Sequence, residues 1–342
     1  MKILVAPLNW GLGHASRCVP LVQRFLDEGH EVILGGDGES LTLLRRHFPK
    51  LRYTYLASLN LRYSAGNRQV WAMIKALPKI IRWAIQDHQM LQALLREEPI
   101  DRVVSDNRFG LYNRQCECIY ITHQLHIMLP RGWKWAEGIA SRIHARIYTR
   151  YNKVWIPDYE DRASSLAGEL SHPKLSTLNS QLSTLNYIGP LSRWASYGHV
   201  RDANDMRTVY DTVAVLSGLE PQRTMLEKEL IARFKADSQI TDSQCPKTYL
   251  IVQGLMNRPN TRIKRGAITI VPYMSDAELV PYMRNANHII VRSGYSTIMD
   301  LEALGLLHST ADDTEQKVEF IPTLGQPEQE YLAFWIEKRT SL

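Results

Sequence analysis

The stretch that most constrains this chain is NHIIVRSGYSTIMDLEALG, residues 287–305. Its HIIV run is short and apolar, as in a parallel strand that is covered on both faces. Gly294 follows as a turn, Ser296 or Thr297 can cap a helix, and Gly305 can end that helix. The N-terminus of such a helix attracts anions such as phosphate. The same pattern is also typical of an ordinary strand-turn-helix unit in any α/β protein.

The chain has 342 residues, which is enough for two domains of ordinary size. Its 41 Lys and Arg against 35 Asp and Glu give a net charge of +6. This mild basic excess suits anionic ligands or an anionic membrane surface and is too small to predict nucleic acid binding. No stretch has the ~18 consecutive apolar residues that a membrane span needs.

Cysteine usage predicts a reducing compartment. The four cysteines are Cys18, Cys116, Cys118 and Cys245. They have no paired Cys-x-x-Cys spacing, and no cleavable signal precedes them. We therefore expect reduced thiols and a cytoplasmic protein.

The N-terminal segment predicts a βαβ unit. An apolar strand at residues 2–6 is followed by the loop PLNWGLGH and then by a helix. The loop contains Asn9, Gly11, Gly13 and His14. It lacks the third glycine of the dinucleotide-binding fingerprint, which disfavours a nicotinamide cofactor. Its glycines instead predict close approach of a diphosphate or sugar to the backbone.

Polar clusters follow two further predicted strands of this half, at residues 101–105 and 118–122. Their side chains are Asp106, Asn107, Arg108, His123 and Gln124. Ligands of open parallel sheets lie beyond the carboxyl ends of the strands, so we expect both clusters to meet the glycine loop. There His14 and Asp106 can pair, with the carboxylate fixing the imidazole tautomer and raising its basicity. A lone histidine is otherwise more often a structural residue.

Two segments of this half, residues 70–95 and 131–150, combine basic residues with tryptophan. The first is helical in period, with Pro78 as a kink or a break, and places Trp71 and Trp83 among lysines. A basic amphipathic surface with tryptophans suits a lipid interface. A helix packed on the sheet with solvated lysines would carry the same pattern. The first interpretation predicts peripheral contact with the inner face of the cell membrane.

The second half repeats the alternation of strands and helices. Strands are predicted at residues 212–216, 249–252, 268–271, 288–291 and 319–321. The turn after the first strand offers the Ser217 hydroxyl, the Gly218 N–H group and the Arg223 charge to a phosphate. Arg223 is equally consistent with a solvated arginine in a first helical turn. The late loop PTLGQPEQE can bind sugar hydroxyls or cap a helix.

The segment between the halves is polar and carries a near-tandem LSTLN repeat, at residues 175–179 and 182–186. It predicts a surface insertion or linker without catalytic residues. The expected division is an N-terminal Rossmann-like domain at 1–157, a linker or insertion at 158–190 and a C-terminal Rossmann-like domain at 191–342. The last helix can pack back on the first domain. Two such halves predict a ligand that lies between them.

Three motifs in this order, GLGHASR, RSGYSTIMDLEALG and PTLGQPEQEYLA, resemble glycosyltransferase family 28. The family includes the N-acetylglucosaminyltransferase of the lipid-linked peptidoglycan precursor, and the chain is also similar to predicted glycosyltransferases with SDNR and THQ clusters. The resemblance covers nearly the whole chain except residues 157–186. It implies the α/β GT-B architecture, two Rossmann-like parallel-sheet domains facing a central cleft, with the acceptor in the first and the nucleotide-sugar in the second. It further implies an inverting transfer of a hexose that needs neither a metal nor a cofactor. The expected donor is a nucleotide diphosphate sugar, with UDP as the expected nucleotide, and the expected acceptor is a glycan or a lipid-linked molecule.

The resemblance also implies roles for residues. Asp300 would hold the ribose hydroxyls, Gly294 would shape the diphosphate turn, and His14 would face the diphosphate from across the cleft. The catalytic candidates are His14 and Asp106. The donor-side candidates are Ser217, Gly218, Arg223, Tyr273, Met274, Ser293, Gly294, Tyr295, Ser296, Asp300, Gln326, Glu328 and Gln329. The acceptor-side candidates are Asn9, Gly11, Gly13, Asn107, Arg108, His123 and Gln124.

Several positions depart from the family pattern. The glycine loop lacks the paired glycines, and Ser217-Gly218-Leu219 replaces the family's glycine-serine-glutamine turn. Asp300 is one methylene shorter than the usual glutamate, and Leu332 replaces an asparagine. The base, the sugar and the acceptor therefore stay open. Two alternatives also stay open: a sugar-nucleotide epimerase or hydrolase, and a nucleotide-sugar-binding protein that has lost catalysis.

Overall fold

Two parallel sheets, one in each half of the chain, form the framework of the protein. The computed structural model describes residues 1–59, 69–173, 184–198, 210–218, 220–240, 247–256, 258–259, 261–307 and 316–340.

The N-terminal sheet has seven strands in the described residues. They are β1 Lys2–Pro7, β2 Glu31–Gly36, β3 Arg52–Tyr55, β4 Arg102–Asp106, β5 Glu117–Ile121, β6 Lys153–Ile156 and β7 Leu185–Tyr187. Neighbours are parallel in the order β3-β2-β1-β4-β5-β6-β7. The order changes direction between β1 and β4, where Pro7 pairs with Asp106. The glycine loop and the Asp106 cluster therefore leave the sheet side by side at a topological switch point, where ligands of such sheets bind.

The C-terminal sheet has six strands in the described residues. They are β8 Thr212–Val215, β9 Tyr249–Val252, β10 Ile263–Arg265, β11 Ile268–Val271, β12 His288–Val291 and β13 Lys317–Phe320. Their order is β10-β11-β9-β8-β12-β13, with only the β10-β11 pair antiparallel. Val291 pairs with Val215, so the Gly294 turn and the Ser217-Gly218 turn start at the same edge. A second switch point thus lies between β8 and β12.

Helices connect the strands of both sheets. They are α1 Gly13–Asp27, α2 Gly38–His47, α3 Gln69–Glu97, α4 Glu137–Tyr148, α5 Gln222–Ile240, α6 Asp276–Asn285, α7 Tyr295–Ala303 and α8 Pro327–Thr340. The strands predicted at 249–252, 268–271 and 288–291 are confirmed at their predicted bounds. No pattern described above predicts α2, α6 or β10.

Residues 165–168, 170 and 171 are buried, which corrects the interpretation of this part as a surface insertion, although residues 160–163 beside them are exposed. Leu166, Ala167 and Leu170 are at most 1% exposed and pack in a core shared with α1 and α7. The polar composition is matched internally, because the buried Asp158 carboxylate accepts from the backbone N–H groups of Leu166 and Ala167. Most of the LSTLN repeat lies at 174–183, outside the described residues. The domain boundaries stay a prediction.

The C-terminal helix α8 reaches back to this segment. The Tyr331 hydroxyl oxygen accepts from the Glu169 N–H group at 2.8 Å, and Trp335 Nε1 donates to the Ser165 carbonyl at 2.9 Å. Gly168 lies between these contacts with a φ of +54°, and a Cβ built on it would lie 2.8 Å from the Trp335 ring. A glycine is therefore required both by the backbone conformation and by the close approach of the helix.

We expect Gly168→Ala to lower the free energy of unfolding by roughly 1–3 kcal/mol, because it adds left-handed strain and a collision with Trp335. Urea unfolding followed by circular dichroism measures the change. Gly132→Ala is the matched control, since a Cβ at Gly132 meets no atom within 4 Å. Equal stability of the two variants would contradict the proposed contact.

Candidate active site

His14 and Asp106 lie side by side where β1 and β4 end. His14 is in the first turn of α1, and its Nδ1 atom lies 3.0 Å from Asp106 Oδ1. The His14 side chain is 16% exposed, whereas Asp106 is completely buried. The imidazole can therefore meet a ligand, while the carboxylate is shielded from water.

Arg17 completes this pair, although no sequence pattern described above singles it out. Its Nε atom donates to Asp106 Oδ2 at 2.6 Å, and its Nη2 atom contacts Asp106 Oδ1. Burial raises the pKa of Asp106, but Arg17 and His14 together lower it further, so this pKa lies well below its usual range. Asp106 is thus a carboxylate at any working pH. The available signal was the His14–Arg17 spacing, because residues three apart share a helix face.

The His14 Nδ1 atom has two alternative partners. It lies 3.0 Å from Asp106 Oδ1 and 2.9 Å from Arg17 Nη2. Because an arginine only donates, a protonated Nδ1 bonds to Asp106, and an unprotonated Nδ1 accepts from Arg17. The first arrangement leaves Nε2 free to accept a proton, and the second does not.

His123, at the end of β5, connects Arg17 to the C-terminal half. Its Nδ1 atom lies 3.2 Å from Arg17 Nη1, and its Nε2 atom lies 2.8 Å from Glu328 Oε1 in the first turn of α8. The His123 ring stacks on Tyr295 at 4.2 Å between centroids. Burial lowers the pKa of His123 in spite of Glu328. The Gln124 amide contacts the second Glu328 oxygen.

The N-termini of α1 and α7 meet between the two sheets. Ser296 does not cap α7 as predicted, since its hydroxyl donates to the Gly13 carbonyl at 2.9 Å. A Cβ on Gly13 would lie 2.8 Å from that hydroxyl oxygen. Gly294 has a φ of −73°, so its turn does not require glycine, whereas Gly305 ends α7 as predicted with a φ of +73°. Two positive helix ends therefore converge here, which favours an anion between them.

The mouth between the sheets, where we expected a diphosphate, is bridged by side chains from both halves. Besides Ser296 and Glu328, Tyr295 Oη donates to the Pro157 carbonyl at 2.6 Å, and Arg46 Nη2 donates to the Met256 carbonyl at 2.7 Å. A ligand of this cleft must therefore displace contacts that this arrangement makes.

Arg223 has a different environment from both expected ones. It is 5% exposed, contacts Glu220 and lies 3.3 Å from Glu227, so it is neither a solvated arginine nor a charge open to phosphate. The adjacent turn is open: Gly218 is exposed with a φ of +98°, and a Cβ there would meet nothing within 4 Å. Ser217 is partly buried beside it.

Arg292 is a second arginine that sequence patterns did not reveal. It is 6% exposed, and its guanidinium donates to the carbonyl groups of Gln222, Ile321 and Pro322 at 3.0–3.2 Å. These carbonyl groups belong to the segments that follow β8 and β13. Arg292 therefore fixes the loops at the edge where the Gly294 turn begins.

The other donor-side candidates line this same region. Ser293 donates to the Gln329 carbonyl at 2.7 Å, and the Gln329 side chain accepts from the Thr323 N–H group. The Gln326 N–H group donates to the Thr323 carbonyl. After β11, Tyr273 lies under the Arg46 guanidinium at 5.1 Å, and Met274 is 5% exposed.

Among the acceptor-side candidates, Arg108 is bound inside the N-terminal half by other groups of the protein. It is completely buried, pairs with Asp87 of α3 at 2.6 Å and donates to the Ala57 carbonyl. Asn107 has a φ of +59° and accepts from the Tyr120 hydroxyl at 2.8 Å. Asn9 accepts from the Ser40 N–H group, and the φ of Gly11 is +72°. The predicted convergence thus holds for His123 and Gln124, while Arg108 binds α3.

Asp300 is held by the segment that enters the C-terminal half. Its Oδ1 atom accepts from the Ser192 hydroxyl at 2.6 Å, and its Oδ2 atom lies 3.5 Å from Arg193 Nε. Arg193 also lies 3.2 Å from Asp276. Burial raises the pKa of Asp300 to about 6, although Arg193 lowers it in part. Ribose hydroxyls would have to compete with Ser192 for this carboxylate.

We expect Asp300→Asn to change how stability depends on pH. The raised pKa means that the folded protein holds the Asp300 proton more tightly than the unfolded protein does. The contribution of Asp300 to wild-type stability therefore falls as the pH rises from about 4 to about 6. Asparagine does not titrate, so the free energy of unfolding of the variant should increase relative to that of wild type as the pH rises through this window. The gain is up to about 3 kcal/mol, from ~1.4 kcal/mol for each pKa unit. Urea titrations at several pH values measure the difference, and one that stays constant with pH contradicts the environment described.

No family model matches the chain. Two uncharacterized glycosyltransferases of Methanosarcina acetivorans are 24% and 23% identical to it over 326 and 317 residues, covering 90% of this chain and 78% and 76% of their own lengths. An uncharacterized glycosyltransferase of Methanosarcina mazei is 21% identical over 318 residues, with 90% of this chain and 78% of the relative covered.

Solved structures resemble the whole chain. A putative UDP-N-acetylglucosamine 2-epimerase from Listeria monocytogenes has a TM-score of 0.54 at 10% identity, covering 99% of this chain and 89% of its own. A spinosyn rhamnosyltransferase complexed with thymidine diphosphate has 0.53 at 14%, covering 100% and 90%. The glycotransferase of kitacinnamycin has 0.52 at 11%, covering 99% and 95%. The predicted fold, two Rossmann-like parallel sheets in the GT-B architecture, is confirmed.

Proposed function

We propose that this chain is a glycosyltransferase that moves a hexose from a nucleotide diphosphate to an acceptor hydroxyl, with His14 as the base. The enzyme class predicted from the sequence is confirmed by the curated relatives, which are named glycosyltransferases. The observation that carries the mechanism is the contact between His14 and the buried Asp106 at the switch point of the first sheet.

The base would work through a specific tautomer. With Nδ1 protonated and donating to Asp106, His14 presents the Nε2 lone pair to the acceptor hydroxyl. The acceptor oxygen bonds to the anomeric carbon, the bond from that carbon to the diphosphate oxygen breaks, and the proton moves to Nε2. Asp106 stabilises the imidazolium that forms, because it stays ionised. A single displacement of this kind inverts the anomeric centre.

The leaving diphosphate needs its new charge stabilised. We assign this to the N–H groups at the start of α7 and to the Ser217-Gly218 turn, since the Arg223 charge is already taken by Glu220 and Glu227. Each such donor contributes ~3 kcal/mol to the transition state. Glu328, with one oxygen oriented by His123, would hold the donor sugar together with Gln329 and Gln326.

The remaining donor contacts follow the family resemblance. The backbone of Tyr273 and Met274 would meet the base, and Asp300 the ribose in competition with Ser192. One structural neighbour binds thymidine diphosphate, which supports a nucleotide diphosphate donor without choosing the base. UDP, N-acetylglucosamine and a role like that of the family 28 peptidoglycan enzyme are our first choices.

A nucleotide-sugar epimerase is the second candidate, because one neighbour of the same fold is a putative UDP-N-acetylglucosamine 2-epimerase. Incubation with UDP- and TDP-sugars and a mixture of glycan and lipid-linked acceptors separates the cases. A transferase releases nucleoside diphosphate and attaches the sugar to an acceptor. An epimerase returns an altered sugar-nucleotide, a hydrolase frees the sugar, and a binding protein changes none of them. No sugar on any acceptor, with an epimer present, would overturn the transferase proposal.

We expect His14→Ala to reduce turnover by about 10²–10⁴-fold, the usual contribution of a general base. Donor affinity measured by calorimetry should stay within about twofold, because the base acts on the acceptor. His30→Ala is the matched control, because His30 is a partly exposed histidine beyond the end of α1. Unchanged turnover in His14→Ala removes this residue from the mechanism.

An exposed apolar face lies on α3, on α4 and on the 3₁₀ helix Arg131–Ala136 that precedes α4. It consists of Ile74, Leu77, Ile81, Ile85, Trp135, Ile139 and Ile143, each at least 40% exposed. Phe109 lies between α3 and α4, 5.9 Å from Trp83 and 6.2 Å from His144, which places these helices side by side. The α3 and α4 residues of this face recur every three or four positions, so each helix presents one stripe.

We propose that this α3/α4 face contacts an anionic membrane surface that carries a lipid-linked acceptor. Exposed basic residues flank the stripes, among them Lys75, Arg82 and Arg142, as expected for a lipid interface. Trp83 takes no part, because it is 5% exposed and donates to the Ala57 carbonyl at 2.8 Å. The Trp71 side chain lies outside the described residues. Within the described residues, no helix has the length and apolarity of a membrane span.

We expect the double variant Ile81→Glu and Ile143→Glu to lose most co-sedimentation with vesicles that contain phosphatidylglycerol, because it removes apolar contact and adds negative charge. Ile263→Glu changes an isoleucine of β10 that is 45% exposed, and serves as the control. Equal pelleting of all three proteins would mean that the α3/α4 face does not meet the membrane.

A further inference from the structure

Arg17 contacts three residues of the N-terminal half, and one of them, His123, bonds across the cleft to Glu328. Its Nε and Nη2 atoms bond to Asp106, Nη2 also lies 2.9 Å from His14, and Nη1 lies 3.2 Å from His123 Nδ1. The residue is 2% exposed, so these contacts replace water around the guanidinium. No other cation has a comparable position among the contacts described above, and the mechanism proposed so far does not use Arg17.

The contact with His123 has a chemical consequence. A guanidinium has donors and no acceptor, so His123 Nδ1 must accept and cannot carry a proton. His123 is neutral, since burial lowers its pKa, and its single ring proton is therefore on Nε2. That proton points to Glu328 Oε1 at 2.8 Å. Glu328 can only accept here, because His123 lowers the pKa of this carboxyl in spite of its burial.

We propose that Arg17 is a positioning residue with two roles. Its Nη1 atom sets the tautomer of His123, which in turn holds Glu328, and its Nε and Nη2 atoms hold Asp106 in contact with His14. The same guanidinium then arranges the base on the acceptor side and the carboxylate on the donor-sugar side. Its planar fork suits this task, because the bonds to Asp106 fix the direction in which Nη1 points. The step from tautomer to turnover rests on the proposed transferase function, whereas the tautomer itself does not.

Arg17→Lys is the variant that isolates this role. An ammonium keeps a positive charge beside the buried Asp106, so the fold retains its ion pair, but it cannot also present a fixed donor to His123. Arg24→Lys is the matched control, because Arg24 is on the same helix, its side chain is 68% exposed, and it pairs with Glu28 at the surface. Circular dichroism and thermal unfolding verify that each protein is folded.

The first measurement is the tautomer. Nitrogen-15 labelling of the 11 histidines and long-range proton–nitrogen spectra distinguish Nδ1–H from Nε2–H rings, and His123→Gln identifies the His123 signals by their loss. Because the Glu328 carboxylate also favours the Nε2–H form, the comparison is made in the Glu328→Gln background, whose amide can either accept from or donate to His123. We expect the Nε2–H form alone in Glu328→Gln and in Glu328→Gln with Arg24→Lys, and a mixture of both forms in Glu328→Gln with Arg17→Lys. A His123 that stays in the Nε2–H form in folded Glu328→Gln with Arg17→Lys overturns the proposal.

The second measurement is turnover with the donor found active in the product assay. We expect Arg17→Lys to lower kcat by about 100-fold, as for a misplaced catalytic group, with donor KM within about twofold. His123→Gln is a second variant, since its amide can still donate to Glu328 but no longer reaches Arg17; it should lose kcat to a similar extent. Wild-type kcat in both variants overturns the role in catalysis. If wild type itself transfers no sugar, the transferase function fails, while the tautomer result stands or falls separately.

Discussion

The ion pair between Asp106 and Arg17 is the interaction on which the candidate site depends. Both side chains are almost completely buried, so each needs the other to offset the cost of leaving water. A buried pair of this kind contributes little net stability compared with apolar packing, but it fixes directions. Asp106 is fixed toward His14, and the outer edge of Arg17 is fixed toward His123. The geometry of the site thus follows from one charge pair.

The two halves of the chain meet through groups that also have the chemistry to bind a ligand. Ser296, Glu328 and Gln124 make polar contacts across the interface, and the positive ends of α1 and α7 face each other there. Such contacts are individually modest, and the diphosphate of the proposed donor would give the Ser296 hydroxyl and the helix N–H groups a charged acceptor. Apolar residues of α1 and α7 pack in a shared core beside these hydrogen bonds, so the interface combines apolar packing with exchangeable polar contacts.

Most strands could be predicted because buried parallel strands are short apolar runs, and the runs at β6, β9, β11 and β12 have clear ends. The polar residues after those runs could be predicted to converge, since carboxyl ends of parallel strands share one edge. Helix α6 was within reach of the same reasoning. Ser275 and Glu278 form a capping box at its start, and that spacing is a recognised signal of a helix N-terminus.

The sequence by itself determined the α/β architecture and the neighbourhood of His14, because these follow from local apolar periodicity and from polar residues at the carboxyl ends of parallel strands. Only the tertiary structure decided the partners of the arginines. Arg17 binds Asp106, Arg108 binds Asp87, Arg223 binds acids of its own helix region, and Arg292 binds carbonyl groups of distant loops. A long cation can reach many acceptors, and which of them it reaches depends on burial and on contacts between residues far apart in the chain. That choice has no local signature, so charge positions along the sequence could not reveal it.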